Sequence, residues 1–258
     1  MSLVTAERRD TLAIITLNNP EKYNALGSVL LDDLMRALDK AVEEWRARAI
    51  VLTGAGKGFC AGAQFGTDVF EAGERIGDWM RASINPVIEK MRASPVPIVV
   101  AVNGAAAGAG VGLALAGDVV IAARSARFIL SFVRLGAALD AGASAFLQRS
   151  IGAARTRALA LLGEPLAAET AAHWGLIWKA VDDADLMGEA LGVARKLAEG
   201  PPIAIGLIKR QLESAWTSSV GETVDAEASA QSRAFATQDL REGAAAFVEK
   251  RPARFLGC

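Results

Sequence analysis

The sequence predicts an α/β fold with largely parallel strands, followed by a helical C-terminal region. Short β-branched runs alternate with helical patterns in the first half of the chain, which is typical of a parallel sheet covered by helices. Two of the strand candidates lead directly into glycine-rich turns. From about residue 153 onward the hydrophobic spacing becomes helical and stays so to the end.

The strand candidates are short apolar runs separated by helical or glycine-rich segments. In the first of these segments apolar residues recur every three or four positions from Leu31 to Trp45, and Ser28 is placed to cap the helix. The strands expected from this pattern are residues 11–17, 49–53, 98–102 and 119–123.

A chain of 258 residues accommodates one large α/β domain with an appended helical piece. Pro201 and Pro202 mark the seam, so we expect an α/β core over residues 1–199 and a helical region over residues 200–258. The second part is too small and too apolar to stand alone. It is therefore expected to pack on the core or on another subunit.

Composition excludes several classes of protein. Hydrophobic residues make up 52% of the chain and charged residues 22%, which indicates a globular protein. No apolar run reaches the roughly 18 residues of a membrane span, and the first residues contain no signal-peptide core, so a cytoplasmic location is expected. A net charge of −1 gives no footprint for nucleic acid. The single histidine and two cysteines lack metal-ligand spacing, so no metal is expected and Cys60 is expected to be buried.

Two glycine-rich loops leave the ends of core strands. One is AIVLTGAGKGFCAGAQF (49–65) and the other is NGAAAGAGVGLALAGD (103–118), whose G-x-G-x-G spacing is not the dinucleotide fingerprint. Bare backbone lets a ligand approach peptide N–H groups, and two such donors from two loops can form an oxyanion hole. The alternative is that the glycines only permit tight turns and close helix packing.

The order of motifs resembles the enoyl-CoA hydratase/isomerase superfamily, the crotonase fold. The resemblance rests on NNPEKYNAL (18–26), residues 50–65, residues 101–123, AAHWGLIWKAV (171–181) and DLREGAAAFVEKR (239–251). It implies a spiral of strand-strand-helix turns with a C-terminal helical region, assembled as a trimer or as two trimers. It also implies an oxyanion hole, formed by the N–H groups of Ala63 and Ala109, for an acyl-CoA thioester. Coenzyme A would then be part of the substrate, not a permanently bound cofactor.

The catalytic acids depart from the hydratase pattern. By the resemblance, the two glutamates of a hydratase fall on Gly112 and Phe132, and neither can transfer a proton. A third location used in the superfamily falls on Asp140, the only acid between Asp118 and Glu164. From the residues alone, Asp140 reads as an N-cap of the following helix. The resemblance implies instead a single acid/base for isomerisation.

Two subfamilies carry an aspartate at this location. The 4-chlorobenzoyl-CoA dehalogenases also need a tryptophan and a histidine, but Phe132 occupies the first position and the only histidine, His173, lies in a later segment. The resemblance is greater to the ring-1,2-epoxyphenylacetyl-CoA isomerases of phenylacetate degradation, which also move enoyl-CoA double bonds from C3 to C2. Two alternatives stay open: a hydratase-like enzyme of other specificity, and a catalytically weak acyl-CoA-binding protein.

The same resemblance implies a set of substrate-binding residues. Lys22 would hold CoA phosphate, while Phe247 and Lys250 belong to a C-terminal helix that covers CoA. Gly112 is predicted to leave space for a cyclic acyl group and Phe132 to form an apolar wall. The complete predicted set is Lys22, Ala25, Ala61, Gly62, Gln64, Phe65, Gly108, Gly112, Phe132, Phe247 and Lys250.

Overall fold

A computed structural model gives the fold and describes residues 2–64 and 73–258. In these ranges the strands are β1 Val4–Arg9, β2 Leu12–Leu17, β3 Ala49–Gly54, β4 Gly58–Cys60, β5 Ile98–Val102, β6 Ala105–Ala107, β7 Val119–Ala123, β8 Arg127–Ile129, β9 Pro165–Ala167 and β10 Lys179–Val181. The α-helices are α1 Ser28–Asp39, α2 Ile76–Ala82, α3 Ile84–Ala93, α4 Ala109–Leu115, α5 Ala143–Leu162, α6 Ala168–Trp174, α7 Leu186–Ala198, α8 Pro202–Ser214, α9 Val220–Phe235 and α10 Gln238–Glu249.

The strands form two sheets, and the chain passes repeatedly from one sheet to the other. The larger sheet has the order β1-β2-β3-β5-β7-β10, and the smaller has the order β4-β6-β8-β9. From β3 to β8, each turn therefore gives its first strand to the larger sheet and its second to the smaller. Neighbours from successive turns are parallel in both sheets. This arrangement is the expected spiral of strand-strand-helix turns.

The core lies in the larger sheet and the helices against it. Every residue of β3 and β5 is buried, which is the pattern of parallel strands covered on both faces. Cys60 is fully buried as predicted, and burial raises the pKa of its thiol to about 12. This thiol is therefore an apolar part of the core rather than a nucleophile.

The four strands predicted from the sequence are present within one residue of their expected bounds. The expectation of unbroken helix after residue 153 is wrong in two places, because β9 and β10 are short strands that extend the two sheets. Ser28 is the first residue of α1 and not its cap, since the cap position is Gly27 and no side chain caps this helix.

Two cationic side chains connect the C-terminal segment to the core. The Lys209 ammonium on α8 lies 2.6 Å from a carboxylate oxygen of Asp118, which also accepts a hydrogen bond from the Ile98 N–H at 2.7 Å. The Arg48 guanidinium donates to the carbonyl oxygens of Gly200 and Phe255, both at 2.9 Å. Residues at both ends of the C-terminal segment are thus bonded to the sheet or its connections.

Candidate active site

The two glycine-rich loops meet at the N-terminus of α4. They follow β4 and β6, which pair in parallel, so both loops leave the same edge of the smaller sheet. A Cβ atom built on Gly62 would lie 2.6 Å from the Ala107 carbonyl oxygen and 3.2 Å from the Ala109 nitrogen. Gly62 also has a φ of +88°, a conformation that favours glycine. The sequence prediction that these loops face each other is confirmed.

Two backbone donors lie side by side at this junction. Ala109 is the first residue of α4, so its N–H has no partner within the helix. Ala63 is held in place by its neighbours: the Leu26 N–H donates to Gly62 at 2.7 Å and the Gln64 N–H donates to Leu26 at 3.0 Å. Within residues 2–64 and 73–258, neither the Ala63 nor the Ala109 N–H donates a backbone hydrogen bond. Such adjacent free donors suit an oxygen that gains negative charge.

Asp140 is a half-buried carboxyl group without a partner. Its Oδ1 atom is buried and makes no hydrogen bond within the part of the chain that the structure describes. Burial raises the pKa of this carboxyl from its ordinary 3.8 to about 6, because a low-dielectric environment disfavours the charged form. A carboxyl group with a pKa near neutrality can both accept and return a proton.

The cap interpretation of Asp140 is wrong. The cap position of α5 is Gly142, and no side chain makes a capping hydrogen bond there. The Asp140 main chain does contribute, since its carbonyl oxygen accepts the Ala143 N–H at 2.9 Å. Within the described residues, no hydrogen bond of the Asp140 carboxylate therefore accounts for its burial.

The loop that carries Asp140 packs on α4, the helix that begins at the predicted donor Ala109. The next residue, Ala141, lies against Gly112, and Gly112 is three residues along the helix from Ala109. At 1.5 Å per residue this is a rise of about 4.5 Å. The loop of the predicted acid/base thus contacts this helix within one turn of the predicted donor Ala109.

Phe132 and Gly112 are the two positions at which the sequence resemblance predicted no proton-transferring side chain. Phe132 is buried, and its ring lies 3.9 Å from a Cβ atom built on Gly108, so it forms an apolar wall beside the α4 N-terminus. The predicted space at Gly112 is not there. A Cβ atom on Gly112 would lie 2.2 Å from the Ala141 carbonyl oxygen, because the Asp140 loop already fills that side of the helix.

The segment that contains Lys22 lies beside the first glycine loop. The Ala61 N–H donates to the Tyr23 carbonyl oxygen at 2.9 Å, and the Ala25 N–H donates to Lys22 at 3.0 Å. Lys22 is exposed and Ala25 is buried. Lys22, Ala25 and Ala61 are therefore neighbours, with the cation free to meet an anionic ligand in solution.

The other predicted binding residues fall into three groups. Gln64 is half-buried, and its Oε1 lies 3.0 Å from a Cβ atom built on Gly27. Phe65 lies outside the described residues. Phe247 and Lys250, on and just after α10, are exposed and make no hydrogen bond or ion pair to either glycine loop within the described chain. Their contact with CoA stays a prediction.

Two residues that support the site were not singled out from the sequence. Asn24 is fully buried, and its amide nitrogen donates to the carbonyl oxygens of Ala55, Gly58 and Phe59, each at 3.0 Å. It joins the Lys22 segment to the first glycine loop. Ala141 is the second, with a φ of +49°. Asparagine is common in left-handed turns, so Asn24 carried a usable signal, whereas an alanine at positive φ carries none.

The described residues include neither a metal-ligand cluster nor a membrane-spanning helix. Residues 2–64 and 73–258 contain no group of three histidine, cysteine or carboxylate side chains placed to hold a metal ion. None of the described helices has the length and apolar character needed to cross a bilayer.

Comparisons with known proteins agree with this geometry. The family model for enoyl-CoA hydratase/isomerase matches residues 7–257. A probable enoyl-CoA hydratase of Rhodobacter capsulatus is 42% identical, over 97% of this chain and 96% of that protein. The 1,2-epoxyphenylacetyl-CoA isomerase of Escherichia coli is 39% identical, over 100% of this chain and 99% of that protein. The crystal structure of an enoyl-CoA hydratase from Bacillus anthracis superimposes with a TM-score of 0.92 at 32% identity, covering 99% of this chain and 100% of that one.

The chain therefore belongs to the enoyl-CoA hydratase/isomerase family, and its fold is the crotonase fold. Members of the family act on coenzyme A thioesters, so an acyl-CoA is the class of substrate. Relatives of similar identity carry both hydratase and isomerase names.

Proposed function

We propose that this protein is an acyl-CoA isomerase that uses one oxyanion hole and one acid/base, Asp140. The observation that carries the proposal is the buried Oδ1 of Asp140, which has no partner among the described residues and lies in the loop that packs on the helix presenting the Ala109 N–H. No carboxylate replaces the glutamates of a hydratase, because those positions are Gly112 and Phe132. Water activation by two carboxylates has no equivalent at these positions.

The mechanism follows from these groups. The N–H groups of Ala63 and Ala109 stabilise the negative charge that develops on the thioester oxygen when a C2 proton leaves. Asp140, ionised above pH 6, accepts that proton. The resulting dienolate takes a proton back from Asp140 at C4, so the double bond moves from C3 to C2. No atom is gained or lost, and the carboxylate is regenerated.

The substrate that we propose first is ring-1,2-epoxyphenylacetyl-CoA, which would isomerise to an oxepin-CoA. The Escherichia coli relative with an epoxyphenylacetyl-CoA isomerase name supports this choice, as does the apolar wall of Phe132. A hydratase-like enzyme of other specificity is the second candidate, supported by the hydratase names among the relatives. A weak acyl-CoA binder without turnover is the third.

The proposed assembly is a homotrimer or a pair of trimers located in the cytoplasm. Large apolar side chains on the C-terminal helices are exposed in the single chain and suit a subunit interface: Val220, Val224, Phe235, Phe247 and Val248. We also propose that Lys22, Phe247 and Lys250 bind CoA. Light scattering of the purified protein, with and without an acyl-CoA, measures the assembly directly.

A turnover panel tests the proposed function. A 3-enoyl-CoA, a 2-enoyl-CoA and the ring-epoxide are each incubated with the wild-type protein and with Asp140→Asn. Isomerisation is expected to appear as conjugation of the thioester and to vanish in the variant, which keeps the shape of the side chain. Equal isomerisation by both proteins contradicts the role of Asp140. Rapid hydration of the 2-enoyl-CoA instead favours the hydratase.

A further inference from the structure

The loop that carries Asp140 approaches helix α4 at backbone distance. A Cβ atom built on Gly112 would lie 2.2 Å from the carbonyl oxygen, 2.7 Å from the Cβ and 2.9 Å from the carbonyl carbon of Ala141. Two of these three atoms are main-chain atoms, so they cannot rotate away as the end of a flexible side chain would. With the loop in this position, position 112 has no room for any side chain.

The same loop has an unfavourable backbone conformation. Ala141 and Gly142 are consecutive residues with φ values of +49° and +77°. For an alanine this left-handed region is disfavoured, because Cβ approaches the following carbonyl oxygen. Such a residue persists only where its surroundings hold it, and such residues cluster at functional sites. Ala141 is 3% exposed, and the surface that receives it is the bare α-carbon of Gly112.

Because Ala141 directly follows Asp140, the position of one fixes the position of the other. The Ala143 N–H closes the turn by donating to the Asp140 carbonyl oxygen at 2.9 Å. Within the described residues, burial is the only influence that shifts the pKa of Asp140. A displacement of the loop that admits water would therefore return this pKa toward its ordinary value.

We propose that Gly112 is a positioning residue: its bare α-carbon seats Ala141 and thereby holds the Asp140 carboxyl group half-buried in the loop that packs on α4. The inference deepens the proposed function and rests on it for its catalytic meaning. The inference has a structural consequence: a side chain at position 112 cannot be present while Asp140 keeps its present position. A glutamate introduced at 112 would then displace the acid/base rather than add a second one.

The central test is Gly112→Ala, read out on the free protein by carbon NMR of carboxyl-labelled aspartate. The Asp140 signal is assigned by its loss in Asp140→Asn. The variant is expected to titrate well below the pH 6 region of the wild type, toward 3.8. Its kcat for isomerisation is expected to fall roughly 100-fold, the effect of misplacing a catalytic group by about 1 Å. The KM for the acyl-CoA is expected to stay within about threefold, because the CoA contacts are elsewhere.

Gly110→Ala is the matched control, because it adds a methyl group at another closely packed glycine of the same helix. A Cβ atom there would lie 2.4 Å from the Cys60 carbonyl oxygen, on the side away from the Asp140 loop. This variant is expected to lose stability without a change in the pKa of Asp140. If both variants shift that pKa equally, the effect comes from general loosening of α4, and the proposal is wrong.

A second variant keeps the test informative if Gly112→Ala cannot be purified. Ala141→Gly removes the methyl group and accepts a positive φ, so the double variant Gly112→Ala/Ala141→Gly relieves one of the close contacts while the carbonyl contact remains. The pKa in the double variant is expected to be lower than in Ala141→Gly alone. Equal values in these two proteins, or a wild-type value in folded Gly112→Ala, overturn the proposal. Since the NMR titration needs no substrate, failure of the isomerase assignment would show separately in the turnover panel.

Discussion

Replacing Asp140 by asparagine is expected to stabilise the protein while it abolishes the proposed isomerisation. The folded protein raises the pKa of this carboxyl from 3.8 to about 6, so the folded state binds the proton more tightly than the unfolded chain does. The stability that the protonated form provides is fully present below pH 3.8 and is lost as the pH rises through 6. Above that pH the ionised carboxylate imposes a constant penalty on folding.

The size of the penalty follows from the same two pKa values. At 1.36 kcal/mol for each tenfold change in proton affinity, their difference corresponds to about 3 kcal/mol. Because the side chain is only half-buried, solvent screening lowers this figure, and we expect about 1–3 kcal/mol. For a chain of 258 residues this raises the Tm by about 2–6 °C at pH 8. At pH 4 the gain is expected to be close to zero.

Thermal unfolding of both proteins at pH 4 and pH 8 measures the effect. The matched control is Asp32→Asn, which changes an exposed aspartate on α1 and is expected to give no gain in Tm at pH 8, because it relieves no burial of a charge. Loss of activity together with a Tm gain confined to high pH supports a desolvated catalytic carboxylate. A Tm difference for Asp140→Asn that does not depend on pH refutes the reasoning.

Four further outcomes are expected. The kcat/KM for isomerisation should rise with pH through about 6 as Asp140 ionises, and a fall over that range in a pH–rate profile would exclude its role as a base. Ala109→Pro removes one N–H donor at a helix position that tolerates proline, and kcat should drop about 10²–10³-fold relative to Ala109→Ser, which keeps the donor. Hydration of 2-enoyl-CoA should be slow or undetectable by absorbance, because Gly112 and Phe132 cannot activate water; a fast reaction would place the acids elsewhere. Asn24→Ala should lower the free energy of unfolding in urea by about 1–3 kcal/mol, since it leaves buried carbonyl groups unpaired, and an unchanged midpoint would contradict this.

Sequence periodicity identified β2, β3, β5 and β7, but it missed β1, which is mostly exposed and ends in charged residues, and it missed the short strands. The strands β3, β5 and β7 have five or six residues and each contains a run of at least four apolar residues, so these strands are visible in the sequence. The strands β4, β6, β8 and β9 have only three residues each, which is too short for any hydrophobic period. Their pairing depends on contacts between successive turns of the spiral, and a local pattern does not contain that information.

The features of the candidate site also divide into those that the sequence identified and those that only the structure shows. Composition and motif order identified both glycine loops and the single acid, Asp140, but the residues alone could not separate a helix cap from an acid/base. Only the packed structure shows that Gly142 holds the cap position and that Asp140 Oδ1 has no partner among residues 2–64 and 73–258. At Gly112 the sequence showed that a side chain was missing. It could not show that a neighbouring backbone, and not a ligand, fills the place.

The contact of Gly62 with the backbone of the second loop determines how this site can be lost. The predicted donors at Ala63 and Ala109 are main-chain atoms, so shortening or exchanging the side chains around them leaves them in place. A single added carbon at Gly62 would meet the Ala107 carbonyl oxygen at 2.6 Å and push the two loops apart. An active centre assembled from side chains is disabled by deletions of atoms. The half of this centre that consists of the backbone donors is instead disabled when atoms are added. Alanine scanning of this half would therefore identify its glycines before any of its other residues.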